Sequence, residues 1–354
     1  MRSVALAAIL VLALAPESLM QAGFQMSFAA TVGLVAVYEA LRGRPWWVHT
    51  QVSPGWRFAK PLLGIAMTSL VAGLATGPIS AFHFNVVSQY GLVANLLAVP
   101  AMGLVVMPAA VVAVLATPFG LDWLPFQVVG LGMGYVIAVA DFIAGLGGAA
   151  VGVASGPSAS LVLIAAGGLF LALWIGCGRL LGLVPMAAAL LLWAAHPRPD
   201  ILISDNGRIF GILTDAGRIL SSGEGNGYAA ESWLRDDGDL ASQAEAHARG
   251  RLERRKNRIE ADVTGLGRLL YVGTRDAATA GADCRAAAIV IAPNWRTAPE
   301  GPCLFVGQDR LGRDGSLAID LRRDGIHVRG ALADNRTRPW TRPPEKRGYR
   351  LAGG

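Results

Sequence analysis

Ten charged side chains are all that residues 1–195 carry: Arg2, Arg42, Arg44, Arg57, Lys60, Arg179, Glu17, Glu39, Asp122 and Asp141. So few charges over such a length cannot make a soluble surface, and several apolar runs reach the roughly 20 residues that cross a bilayer. The other 25 Lys or Arg and 21 Asp or Glu all follow residue 195 in a chain of 354 residues. Two materials are therefore joined near His196-Pro197-Arg198-Pro199. The expectation is a polytopic α-helical membrane domain over 1–195, then a smaller β-rich (α+β) soluble domain over 196–342. The last dozen residues, 343–354, are rich in Pro, Arg and Gly and read as a disordered tail.

Apolar segments fall near 2–15, 24–41, 60–76, 86–116, 126–148, 159–177 and 180–195, a count of six to eight membrane segments. The first carries one early Arg but no small-residue cleavage pattern, so it reads as a membrane segment rather than a removed leader. Residues 86–116 are too long for one straight span and are interrupted by Asn95, Pro100 and Pro108. A tilted kinked helix, two half-helices or a re-entrant element each fit, because broken backbone at membrane depth survives where it lines a cavity. Arg42, Arg44, Arg57 and Lys60 flank the loop between the second and third spans and make it cytoplasmic; Trp46 and Trp47 there suit an interfacial belt. If 86–116 crosses once, Arg179 falls on the cytoplasmic side and residues 196–354 emerge on the other.

After residue 199 the pattern changes to short β-type runs. ILIS, RIFGILT and RILSS, separated by Asp205-Asn206-Gly207 and Asp215-Ala216-Gly217, read as a three-stranded meander, since these turns need the positive φ that Gly and Asn tolerate. AAIVIAP, CLFVG, SLAIDLRR and IHVRGALA form a second β region. Residues 239–262, dense in Glu, Arg and Ala, read as a solvated helix. Net charge after residue 195 is +4, too mild for a nucleic-acid footprint. Cys177 sits in an apolar run. Cys284 and Cys303 fall in the soluble part, where a disulfide in an oxidising compartment and two reduced buried thiols are equally compatible.

Three polar features stand out within the apolar part. Gln25, Ser27 and Thr31 open the run GFQMSFAATVGLVAVYEALR, as interhelical glue or as the lining of a path. His83, Asn85, Ser88, Gln89 and Asn95 are interleaved with Phe82, Phe84 and Tyr90 at a membrane boundary; they read as a loop with an aromatic anchor, or as amide and aromatic groups able to touch bases. Asp141 lies mid-span in GYVIAVADFIAGLGG, and an intramembrane carboxylate is a site candidate by default. Around it Gly130, Gly132, Gly134, Gly145, Gly147 and Gly148, like Gly73 and Gly77 four apart, suit close helix packing.

GFQMSFAA, followed by FHFN, Tyr90-Gly91, Ala94-Asn95-Leu96-Leu97 and Val99-Pro100, resembles the membrane competence domain of the ComEC family, channels that pass transforming DNA across the bacterial inner membrane. The resemblance covers roughly 16–195. Where the family commonly shows Asp-Pro before its Gly-Phe-Gln, this chain has Gln21-Ala22. The resemblance implies a multi-pass protein of the inner membrane through which single-stranded DNA passes into the cytoplasm during natural transformation. Gln25, Ser27, Thr31, His83, Asn85, Gln89 and Asn95 become candidates for the DNA path or for the contacts that shape it. It further implies the lipid bilayer, other competence proteins on both faces and a homo-oligomer as partners, with no cofactor. Family members carry more chain before the GFQ motif; Met1 lies only 22 residues before Gly23, so an N-terminally shortened chain is expected.

The C-terminal part, with PDILISDNGRIFGILTDAGRIL, SWLRDDGD and the Cys284 to Cys303 segment, looks like the end of longer members, which is metallo-β-lactamase-like. Such a hydrolase needs HxHxDH to hold its metals. His49, His83, His196, His247 and His327 are too scattered for that motif, so a degenerate domain without metal, and no enzyme, is expected. No Gly-x-x-x-x-Gly-Lys loop is present, so energy for transport would come from partners. The competing readings are a small-solute or ion transporter using Asp141, a DNA-degrading hydrolase, and a non-functional truncated remnant.

Overall fold

The computed structural model describes residues 1–42, 56–250, 252–255, 258–263, 267–274, 284–285, 287–322 and 325–332. The chain divides into two compact units, Met1–His196 and Pro197–Gly354. Trp46, Trp47 and the expected tail lie outside the described residues.

The first unit is helical because hydrocarbon offers backbone groups no partner, so each apolar run must satisfy its own hydrogen bonds. Its helices are α1 (Arg2–Leu14), α2 (Ala22–Arg42), α3 (Trp56–Phe84), α4 (Gly91–Phe119), α5 (Trp123–Ala144), α6 (Ser158–Leu173) and α7 (Cys177–Ala194). Among the described residues five are long and apolar enough to span a membrane, in α2, α3, α4, α5 and α7; α1 and α6 are shorter apolar helices.

Neighbouring helices run antiparallel. Gly33 of α2 faces Ala75 and Val71 of α3, Gly132 of α5 faces Val106 of α4, and Ser160 of α6 donates to the Ala189 carbonyl of α7 at 3.1 Å. The packing glycines are therefore Gly33 and Gly132. A Cβ at Gly132 would come 2.6 Å from Val106, whereas Gly73, Gly77, Gly130, Gly134 and Gly147 face open space.

Residues 91–119 form one helical rod, which selects the single crossing from the three geometries open for 86–116. Between Pro100 and Pro108 the rod widens into a π turn, Met102–Val106. Pro108 has no N–H for the Leu104 carbonyl, and the wider turn absorbs the misfit. At about 1.5 Å per residue the rod exceeds a 30 Å hydrocarbon core and must tilt or overhang. α3 also runs further than its expected end at 76, carrying His83 and Phe84 in its last turn rather than in a loop.

The second unit holds two five-stranded sheets. The strands are β3 (Ile201–Ile203), β4 (Phe210–Thr214), β5 (Gly217–Leu220), β6 (Glu253–Arg255), β7 (Arg258–Val263), β8 (Gly267–Val272), β9 (Ile289–Ala292), β10 (Leu304–Gly307), β11 (Leu317–Arg322) and β12 (Gly325–Gly330). One sheet is antiparallel with order β12-β11-β3-β4-β5; the other, β10-β9-β8-β7-β6, is parallel across β10, β9 and β8. Ile201, Ile203, Phe210 and Ile212 from the first pack against Leu269, Ile289, Ile291 and Val306 from the second. Helices α8 (Gly227–Asp236) and α9 (Gln243–Ala248) add Trp233, Leu234 and Ala246 to a separate cluster with Leu220.

The expected meander is β3-β4-β5, with Gly207 and Gly217 at positive φ. The helix expected over 239–262 is not formed. Only Gln243–Ala248 is helical, started by a capping box in which Ser242 and Glu245 exchange side-chain to backbone bonds. Beyond it, Ile259, Ala261 and Val263 alternate with Arg258, Glu260 and Asp262, and that period of two lays 258–263 into β7 with its apolar face on the core.

Candidate functional site

One end of the helical unit gathers the polar residues of both motifs. Gln25 lies in the first turn of α2 and His83 in the last turn of α3, so the antiparallel packing of these helices brings together two residues 58 positions apart. Gln25 Nε2 donates to the Leu19 carbonyl at 2.8 Å, and Gln25 Oε1 lies 2.8 Å from His83 Nε2. The Leu19 carbonyl can only accept, which fixes the amide orientation, so His83 Nε2 carries the proton and donates to Gln25.

Asn85 follows α3 directly, in the left-handed region at φ 59°, and is 6% exposed. Its N–H donates to the Ala81 carbonyl at 3.1 Å, ending the helix. Its side-chain Nδ2 donates to the Val153 carbonyl at 3.1 Å and to Ser155 Oγ at 2.9 Å, while its own carbonyl accepts from Val153 N–H at 2.8 Å. Asn suits this place because a short amide tolerates positive φ and carries donors to spare.

This pairing starts a short antiparallel ribbon. β1 (Val86–Ser88) pairs with β2 (Ala150–Gly152), in register Val86 with Gly152, Val87 with Val151 and Ser88 with Ala150. Gln89 N–H donates to the Ala149 carbonyl at 3.0 Å and Tyr90 Oη to the Gly147 carbonyl at 3.2 Å. Gly148 supplies a positive φ of 76° where residues 145–149 turn. From α7, Trp193 Nε1 donates to the Ala154 carbonyl at 2.7 Å and its ring meets Phe82 edge-on at 5.9 Å. A Cβ at Gly156 would come 2.6 Å from the Trp193 ring, so only glycine admits the indole here.

The remaining candidates are placed differently. Thr31 donates back to the Ser27 carbonyl at 2.8 Å within α2, and Ser27 and Thr31 are exposed. Asn95 lies on α4, and like the Gln89 side chain it is exposed. Asp141 is not mid-span: α5 ends at Ala144, leaving the carboxylate exposed in the last helical turn at the ribbon end. Val153, Ala154, Ser155, Gly156 and Trp193, which complete the cluster, stood outside the motif residues of the sequence. Ser155-Gly156-Pro157 was the signal that helix gives way there.

In the second unit Cys284 and Cys303 are joined in a disulfide, 19 positions apart, beside Val272, Val290 and Trp295. Arg218 is wholly buried; its Nε lies 2.5 Å from Asp237 Oδ2 and its Nη2 3.1 Å from Asp237 Oδ1. Arg249 pairs through both terminal nitrogens with Asp239, and this hydrogen-bonded guanidinium holds the Asp239 carboxyl below its ordinary range. Burial pushes the Tyr271 phenol up. Among the described residues no three His, Cys, Asp or Glu side chains are grouped to hold a metal ion.

Fold and cluster together define a multi-pass membrane protein whose helical domain carries a polar, partly non-helical junction at one end and is followed by a β-rich domain. A family model described as Competence protein matches residues 1–177, half of the 354 residues. The chain belongs to that family, which ties it to DNA uptake. No curated protein and no solved structure matches it.

Proposed function

We propose that the chain is a ComEC-type inner-membrane channel component that passes single-stranded DNA into the cytoplasm during natural transformation. The observation that carries this reading is the hydrogen bond between Gln25 and His83, which unites the GFQ and FHFN motifs at one end of a competence-family helical domain. Gln25 and Asn85 have their amides engaged within the protein, so they shape the mouth of the route. The exposed Ser27, Thr31, Gln89 and Asn95 are the groups free to meet a strand.

The ends of the helices also support an orientation. Arg2, Arg42 and Arg179 lie at the end opposite the ribbon, and Arg44, Arg57 and Lys60 fall in sequence between the end of α2 and the first residues of α3. All six cations of the first unit thus belong to one face, which makes it cytoplasmic and turns the ribbon outward. α7 ends at the ribbon face, so residues 197–354 would follow on the outer side, where a Cys284–Cys303 disulfide persists. In this reading the β-rich unit is a degenerate relative of the metallo-β-lactamase-like domains. Single-stranded DNA, competence proteins on both faces and a second copy of the chain are its partners.

The test is transformation frequency in a strain lacking the gene and complemented with this reading frame or its Gln25→Leu variant. Rescue by the parent and a loss of at least about tenfold with Gln25→Leu, at equal membrane abundance, is expected. Failure of the parent to rescue while present in the membrane would overturn the reading.

A further inference from the structure

We propose that the β1–β2 ribbon is a clasp that must open for a strand to pass; this rests on the channel reading above. The ribbon is the backbone link between two helical hairpins, α3 with α4 and α5 with α6. It consists of three residue pairs, extended at one end by Gln89 and Ala149 and at the other by Asn85 and Val153. Strand segments this short are marginal by themselves. Its second strand lies in a stretch with glycine at 145, 147, 148, 152 and 156, which leaves the backbone free to swing. Ser88, Ala150 and Val151 are exposed, so no apolar core holds the strands together. The flanks are anchored differently: Asn85 ties the start of β1 to 153–155, and Trp193 seats against Gly156. A weak centre between pinned flanks is the arrangement of a clasp rather than of a strut.

A reversible crosslink decides the matter. The bonds from Gln89 N–H to Ala149 and from Val153 N–H to Asn85 set the phase of the ladder. They make Val87 with Val151 a hydrogen-bonded pair and Ser88 with Ala150 a non-hydrogen-bonded one, whose Cα atoms approach to about 4.5 Å. That separation suits a disulfide. Cells expressing the full chain with Ser88→Cys and Ala150→Cys are compared with each single variant and the parent, oxidised and after mild reduction, with crosslinking scored by thiol alkylation and gel shift. The clasp predicts that the crosslinked double variant loses transformation at least about tenfold, that reduction restores it, and that the single variants match the parent under both treatments. Normal transformation with the crosslink formed would overturn the clasp and leave the channel reading intact, and failure of the crosslink to form would overturn the closed ribbon. A parent that does not support transformation at all removes the channel reading and the clasp with it.

Discussion

Replacing Asn85 separates two contributions that the structure superimposes at one residue. Asn85→Gly keeps the left-handed backbone but removes the bonds to Val153 and Ser155, at 3.1 and 2.9 Å. At about 1 kcal/mol net for each, the loss is about 2 kcal/mol. In a unit of this size that lowers the melting midpoint by about 4–8 °C. Asn85→Ala loses the same bonds and must also place a Cβ at φ 59°, a strain of about 1–2 kcal/mol. About 0.4–1 kcal/mol of that is offset because alanine has less unfolded-state freedom to lose than glycine. The expected order of stability is parent, then Gly, then Ala by a margin of about 1 kcal/mol or less. The assay is thermal melting of the purified full chain in detergent micelles, with Ser155→Ala added to each variant. Ser155→Ala should cost less on top of Asn85→Gly than alone, because residues in contact are coupled. A glycine variant that melts with the parent would refute the bonding argument, and an alanine variant more stable than the glycine one would refute the backbone argument.

Two further outcomes follow from the second unit. Asp237→Leu strands the buried Arg218 charge, at a cost of about 3–5 kcal/mol, while Arg218→Met with Asp237→Leu recovers most of the loss; protease resistance of the second unit in the purified chain reads both, and equal sensitivity of the single and double variants would refute the pairing. Asp239 has a lowered folded-state pKa because of Arg249, so its stabilising contribution is present above the ordinary carboxylate pKa and fades as pH falls through the folded value. Asp239→Asn should therefore flatten the acid limb of stability below about pH 4, measured by the same protease assay across pH; an unchanged limb would remove the pair from the account.

The division of the chain was legible in where its charges stop, and β3-β4-β5 in its turn chemistry, because these signals are local. The end of α3 was less so. Gly77-Pro78 reads as a helix stop in water, but in a membrane helix such breakers are tolerated, and the helix continues to Phe84. The β7 strand was hidden by its charges: RIEADV has the dense Glu and Arg of a solvated helix, and only the alternation of Ile259, Ala261 and Val263 betrays it. Gln25 and His83 each stood out singly, yet nothing local joins them, since their meeting depends on the antiparallel register of α2 and α3. Asp141 changed meaning because its place was judged against a span running to 148, whereas the helix ends at Ala144.

The π turn in α4 has a consequence for how this protein can vary in length. A π turn is one surplus residue in an α-helix, and each residue turns the helix by about 100°. Removing one residue between Met102 and Val106 would restore regular winding there while leaving the register of 107–119 against α5 largely as it is, including the seat of Val106 beside Gly132 as the point most exposed to adjustment. Removing one anywhere else in the rod would swing every residue beyond it a quarter turn or more from its neighbours. The turn is thus the position in this rod at which a deletion can be absorbed.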